Sequence, residues 1–424
     1  MLIEERIMKV MTNQFNEDIQ TFTTQSGLEV IILHRPGFKQ STALYGTPFG
    51  SLNLEQKLNG EHIEHKKGLA HFLEHKLFEV EDGTDVLSTF ANMGASANAF
   101  TSYDETMYYF NHNGPIQEPL ELLLDFVSEF KISQESVDKE KGIITEELIM
   151  YEQMPDMMLL TETFRNVFHD YPIIHDIAGT RESVAATTLE DLELAYKMNY
   201  SDERMVLVVV SPEEPQALKA IIEAKTANHP KSLDKVEDYF QTEAHEVVRD
   251  HRTLTAKVSQ DKMSVAYKFA YDGDNSFLDE FKMKLILDMN FTEMNPEFQT
   301  YLDQQIISNT FSYDVDIQED IGVIYFFNDS DRFDEFVKLI DDKMANLIIE
   351  EALFDQLSRR TYGEMIFSLS NTSRIGITIA RYHLKGENYY DFMEAVRNLS
   401  YESLYQVANY FKDFSKTSLL LTNR

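Results

Sequence analysis

The sequence predicts two similar domains that each combine helices with strands, and three observations carry that expectation. At 424 residues the chain is longer than one ordinary hydrophobic core organises. With 43% apolar residues it has the material for a second core. A pattern also repeats: residues 189–200 followed by 206–210 can be laid over 399–410 followed by 418–421, each running helix, Asn-Tyr, short loop, apolar strand. The register slips by one residue at the start of the helix. Residues 225–252 are polar, include Pro230 and lack a sustained period, so they are the expected linker between domains at 14–224 and 253–424.

The elements of the first half follow in order. Residues 22–24 and 28–33 flank Gln25-Ser26-Gly27, a hairpin signal with glycine at the turn. Residues 41–53 continue as a strand, and 61–65 read as an acidic loop whose His62 and His65 are expected at the surface. Residues 68–78 and 86–93 read as helices, the second ended by Gly94, and 95–102 and 105–110 as strands around Tyr103-Asp104. Helices are expected at 119–130, 135–154 and 157–169, and 205–210 is an apolar strand too short to span a bilayer.

Composition excludes several kinds of chemistry. The chain has no cysteine, which removes disulfides, thiolate metal sites and cysteine nucleophiles, so any metal must be held by His, Asp or Glu. A net charge of -34 opposes nucleic acid and anionic membrane surfaces. Acids near the N-terminus stand where an export signal would be basic and then apolar, so a cytoplasmic chain is expected.

The chemistry concentrates in His71-Phe72-Leu73-Glu74-His75. On a helix, His71 and His75 lie one turn apart on one face, which is how two imidazoles reach a common metal ion. Glu74 sits beside them, placed to take a proton from a water activated there. The glutamate precedes the second histidine, the inverted form of the common zinc-protease pattern. Leu69, Ala70, Phe72, Leu73, Leu77 and Phe78 make the helix apolar on nearly every side and predict burial.

A second helix supplies the distal group. At about 100° per residue, Val137, Ile143, Ile144, Leu148, Tyr151 and Met154 gather on one side of 135–154, with Glu140 and Glu147 among them and Glu146 opposite. A carboxylate on such a face needs a metal or a buried cation. Glu147 is therefore the expected third ligand, and Glu140 the expected hydrogen-bond partner of a ligand imidazole.

These residues resemble the pitrilysin-like, or insulinase-type, zinc peptidases in their bacterial two-domain form. His71-Phe72-Leu73-Glu74-His75 is similar to the family signature, residues 94–102 to its substrate-pairing strand, and residues 140–148 to the segment with its distal ligand. The resemblance implies an α+β fold of two similar domains, each an antiparallel sheet faced by helices, closing over a chamber that admits peptides and unfolded segments. It implies one zinc ion held by His71, His75 and Glu147, with Glu74 as general base and Glu140 supporting a ligand. Asn98, Ala99 and Phe100 would hold the substrate as an added strand, and Tyr313 would face it from the second domain. The sequence departs from the family where active relatives place an Arg, since residues 298–313 contain none. Arg374, Arg381 and Tyr382 lie further on, on an expected helix. A second, similar chain in a heterodimer, or a second copy in a homodimer, would complete such an enzyme. The alternatives are a non-catalytic, peptide-binding subunit and a hydrolase of small amides.

Overall fold

The apolar run near residue 206 is a fully buried strand, Val206–Ser211, at the centre of a seven-stranded sheet. It belongs to a computed structural model that describes residues 8–79 and 85–423. The first seven residues, which carry most of the argument against an export signal, lie outside the described residues. The chain divides into two units: residues up to Leu148 with His175–Phe240 and Phe367–Tyr390, and Ile149–Ile174 with Gln241–Ile366 and the chain from Asp391 onward.

The strands of the first unit are β1 (Lys9–Thr12), β2 (Asp18–Thr23), β3 (Glu29–His34), β4 (Ser41–Thr47), β5 (Glu55–Leu58), β6 (Glu61–Glu64), β7 (Ser96–Thr101), β8 (Thr106–His112), β9 (Val206–Ser211) and β10 (Val236–Asp238). The main sheet runs β1-β2-β3-β9-β4-β8-β7, antiparallel except for the parallel pair β3 and β9. β10, β5 and β6 form a small antiparallel sheet. Helices cover one face of the main sheet, where Phe72, Leu73, Leu124, Ile144 and Leu192 share a core with Tyr45, Tyr108, Leu207 and Val209. The helix Thr372–Leu384 lies against β4 and β9. A strand covered on both faces reads as an unbroken apolar run, which is the pattern at 206–210.

The second unit contains β11 (His251–Thr255), β12 (Lys262–Ala270), β13 (Ser312–Gln318), β14 (Ile321–Asp329) and β15 (Ser415–Thr422). Their order, β11-β15-β12-β14-β13, and the single parallel pair β11 and β15 repeat β3-β9-β4-β8-β7 strand for strand. The helix Pro155–Val167 lies against β12 and β15 as Thr372–Leu384 lies against β4 and β9, so each half of the sequence gives one helix to the other half's unit. The faint repeat in the sequence is thus a repeat of topology. Its second copy is not one helix: residues 401–411 form 3-10 and α turns, with Ser403 Oγ donating to the Ser400 carbonyl at 2.6 Å. A serine that bonds its own backbone competes with helix formation.

Several expectations need correction. The strand from Ser41 ends at Thr47, and Gly50 lies in a turn where an added Cβ would fall 2.3 Å from the Tyr103 carbonyl oxygen. The predicted loop at 61–65 is mostly strand β6, and His65 is buried, with Nε2 2.9 Å from Gln56 Oε1, because β6 turns it inward against Phe49. Ile143 and Met154 are exposed, although the helical wheel put them on the core face. Ile143 lies on the flank of the helix Gln134–Glu152, and Met154 lies past its end. Residues 225–252 include the end of the helix Pro215–Thr226, all of β10 and the start of β11, and the passage between units falls after Phe240. Among the described residues no helix is long and apolar enough to cross a membrane.

Candidate metal centre

The motif is carried by the helix Leu69–Leu77, which starts at a glycine for a local reason. Gly68 has φ +81°, and a Cβ there would stand 2.2 Å from the Ala178 carbonyl oxygen. Leu69, Ala70, Phe72, Leu73 and Leu77 anchor the helix in the core. The helical turn then brings His71 and His75 together, with ring centroids 4.5 Å apart.

Glu147 reaches them from the helix Gln134–Glu152. Its Oε2 is 3.8 Å from His71 Nε2 and 3.7 Å from His75 Nε2, and one ligand atom from each residue lies within 4.8 Å of the others. Among the described residues this is the one group of three His, Asp or Glu side chains that fits a metal ion. Ligands bonded at about 2.0–2.1 Å to a tetrahedral ion stand roughly 3.3 Å apart, so the two pairs of histidine with Glu147 need close by only a few tenths of an ångström. The side chains of His75 and Glu147 are 25% and 22% exposed, which leaves the group open to solvent on one side.

The surroundings orient one of the two rings, that of His75, whereas Nδ1 of His71 is buried with no hydrogen-bond partner among the described residues. His75 Nδ1 lies 3.0 Å from Glu140 Oε1, and Lys76 Nζ donates to Glu140 Oε2 at 3.1 Å. With Nδ1–H donated to a carboxylate, His75 turns the lone pair of Nε2 toward Glu147. Glu140 is thus held by a buried lysine as well as by an imidazole. Burial pulls its pKa up, but hydrogen bonds from His75 and Lys76 and the Lys76 charge hold it below the usual carboxylate range.

Burial pushes His71 down to about 4, and the neighbouring His75 acts in the same direction, so this ring is neutral and able to bind metal. Burial also disfavours charge on His75. The hydrogen bond to Glu140 and the charges of Glu140, Glu74 and Glu147 outweigh it and raise that pKa. Glu74 is raised by burial, against a hydrogen bond from Thr101, whose Oγ1 donates to Oε2 at 2.6 Å.

Asn98, Ala99 and Phe100 lie on β7, which ends the sheet and pairs on one side with β8. Asn98 is exposed, and its side-chain oxygen accepts the Ala99 N–H at 2.9 Å. Tyr313 lies on β13 in the second unit, where its hydroxyl donates to Asp288 and its ring packs among Phe291, Phe311 and Phe326. The structure therefore joins His71, Glu74, His75, Glu140 and Glu147 in one group, puts Asn98, Ala99 and Phe100 on the sheet edge, and ties Tyr313 into another core.

Three residues of this neighbourhood escaped the sequence reading. Thr101 was legible, because period 2 puts it on the same strand face as Ala97 and Ala99. Lys76 and Glu105 gave no signal, since Glu140 and Arg381, which pair with them, come from distant segments. In the second unit, the counterparts of the motif helix, β7 and the Glu147 helix are Ser276–Phe291, β13 and Glu351–Ser368. None of these three contains a histidine.

Two like units, one carrying a His, His and Glu group beside the open edge of its sheet, define a two-domain peptidase-like chain. The insulinase model of peptidase family M16 matches residues 59–180, and the M16 inactive-domain model matches residues 186–397. The chain belongs to the insulinase family of peptidases, M16. It is 29% identical over 411 residues to YmfH, a Bacillus subtilis chain described as an uncharacterized zinc protease, covering 95% of each. It is 30% identical over 195 residues to a probable mitochondrial-processing peptidase subunit beta from Schizosaccharomyces pombe, 44% of this chain and 40% of that one. An M16-like peptidase of Alicyclobacillus acidocaldarius has a similar crystal structure, with 27% identity and a TM-score of 0.91 over 97% of this chain and 100% of that one.

Proposed function

We propose that the chain is a cytoplasmic zinc-dependent endopeptidase, or the zinc-bearing subunit of one, acting on peptides and unfolded segments. The convergence of His71, His75 and Glu147 beside Glu74 carries this reading. Zinc suits two imidazoles and a carboxylate, and when bound it supplies Lewis acidity that polarises a carbonyl and brings the pKa of a coordinated water to about 7. The other steps fall to the chain's own groups. An extended peptide pairs with β7, and its backbone takes over the Ala99 N–H from the Asn98 side chain. Glu74, oriented by Thr101, accepts the proton of the attacking water and returns it to the leaving amine nitrogen.

The expected aromatic and cationic groups of the second half are the weak point of a lone chain. Tyr313 is engaged by Asp288, and residues 298–313 hold no Arg. We assign the missing positive group to a second, similar chain in a heterodimer, or to a second copy. The same observation favours one other reading, a non-catalytic subunit that binds peptide or its partner.

Metal analysis with a peptidase assay, run with and without chelator, tests the proposal. One zinc per chain and cleavage that stops with chelator are expected. Glu74→Gln should keep the zinc and lower kcat by about a hundredfold or more. A purified complex that binds no metal, or whose cleavage is unchanged by Glu74→Gln, rules the peptidase reading out. Zinc without cleavage, alone or with partner, leaves the non-catalytic subunit.

A further inference from the structure

We infer that Arg381 is a positioning residue for Glu74, acting through Glu105 and the hydroxyl pair Thr101 and Thr106. The inference rests on the reading of Glu74 as proton acceptor. Arg381 lies on the helix Thr372–Leu384 and touches none of the three metal-ligand side chains in the bonds it makes.

The chain of contacts begins at Glu74. Its Oε2 accepts from Thr101 Oγ1 at 2.6 Å, and Thr101 stands opposite Thr106 in the final pair of β7 and β8. The two threonine hydroxyls are 3.3 Å apart, and Thr106 Oγ1 donates to the Phe49 carbonyl at 2.7 Å. The proton acceptor is therefore set by the place where the hairpin turns.

That turn is gripped from two sides. On one, the Ser51 and Leu52 amides donate to the Ser102 and Tyr103 carbonyls, each at 3.0 Å. On the other, Nε and Nη2 of Arg381 both donate to Glu105 Oε1, at 2.9 and 2.7 Å, and Lys385 Nζ donates to Asp104 Oδ2 at 2.6 Å. Glu105 is only 3% exposed. A carboxylate that buried stays in place while a cation is paired with it, and without one it moves toward water. That movement shifts residues 102–105, and Thr101 and Thr106 are their immediate neighbours. A planar guanidinium holds this geometry with two donors, whereas an ammonium offers a single point of charge.

The test compares the zinc-loaded protein, with its partner if one is required, to Arg381→Ala, Arg381→Lys and the double variant Arg381→Ala with Glu105→Gln. For a fluorogenic peptide, Arg381→Ala should lower kcat by about tenfold to a hundredfold, the cost of a misplaced catalytic group, with KM within about twofold. Zinc affinity by chelator competition should be unchanged. Arg381→Lys and the double variant should each recover part of kcat, the latter because no unpaired charge is left. Unchanged kcat, or a loss of kcat matched by an equal loss of zinc affinity, overturns the inference. Hydrogen exchange supplies a readout that needs no turnover: amides of residues 101–106 should exchange faster in Arg381→Ala while those of 141–148 do not. Equal exchange overturns the inference whether or not the protein cleaves peptides. Faster exchange in a protein without peptidase activity removes the peptidase reading and leaves the grip of Arg381 on the turn.

Discussion

His75 Nδ1 and Oε1 of Glu140 are 3.0 Å apart, and the other oxygen of the same carboxylate takes the ammonium of Lys76, a side chain 1% exposed. One glutamate thus orients an imidazole and neutralises a buried lysine. The predictions below begin from this support and move outward.

Glu140→Gln keeps the volume and removes the charge that holds His75 and, together with Glu79, Lys76. Replacing an outer partner of a metal ligand weakens metal binding by about tenfold to a hundredfold, and that loss is expected here, measured by chelator competition on a folded variant. A change smaller than about threefold would mean that His75 is oriented without Glu140.

Gly68→Ala should be far more damaging than an ordinary surface change. The φ of +81° is unfavourable to alanine, and the new Cβ would fall 2.2 Å from the Ala178 carbonyl oxygen. Backbone strain and forced movement each cost about 1–3 kcal/mol, so a loss of roughly 2–6 kcal/mol is expected in urea unfolding, together with weaker zinc binding. An unaltered melting profile would show that the start of the motif helix can shift without penalty.

His65 predicts a pH dependence of stability. Burial lowers its pKa from 6.5 to about 4. The unfolded chain therefore binds a proton that the folded chain refuses between those values, and stability rises with pH across this window. The contribution is complete above pH 6.5, is lost as the pH falls to about 4, and amounts to about 3 kcal/mol. A variant such as His65→Gln should lack this part of the pH dependence. Parallel stability curves for the two proteins between pH 4 and 7 would contradict the assignment.

Much of the first unit was legible because its signals are local. The helix around His71, the strand 206–210 and the glycine stop at Gly94 each follow from the period or turn chemistry of a few neighbouring residues. The misread places, His65 and Ile143, were decided by partners on other elements or by the rotation of a helix on its core.

The sequence alone pointed to the residues of the candidate metal group, because His71 and His75 are one helical turn apart and Glu147 lies on the apolar side of its own helix, beside Ile144 and Leu148. It also suggested that the chain is built twice, from the likeness of residues 189–210 to 399–421. Tertiary structure decided what surrounds those residues: Lys76 against Glu140, Thr101 on Glu74, and Arg381 on Glu105 from 276 positions away. The physical reason is that periodicity specifies which face of an element is buried, whereas the partner of a buried charge is chosen only when distant segments are packed together.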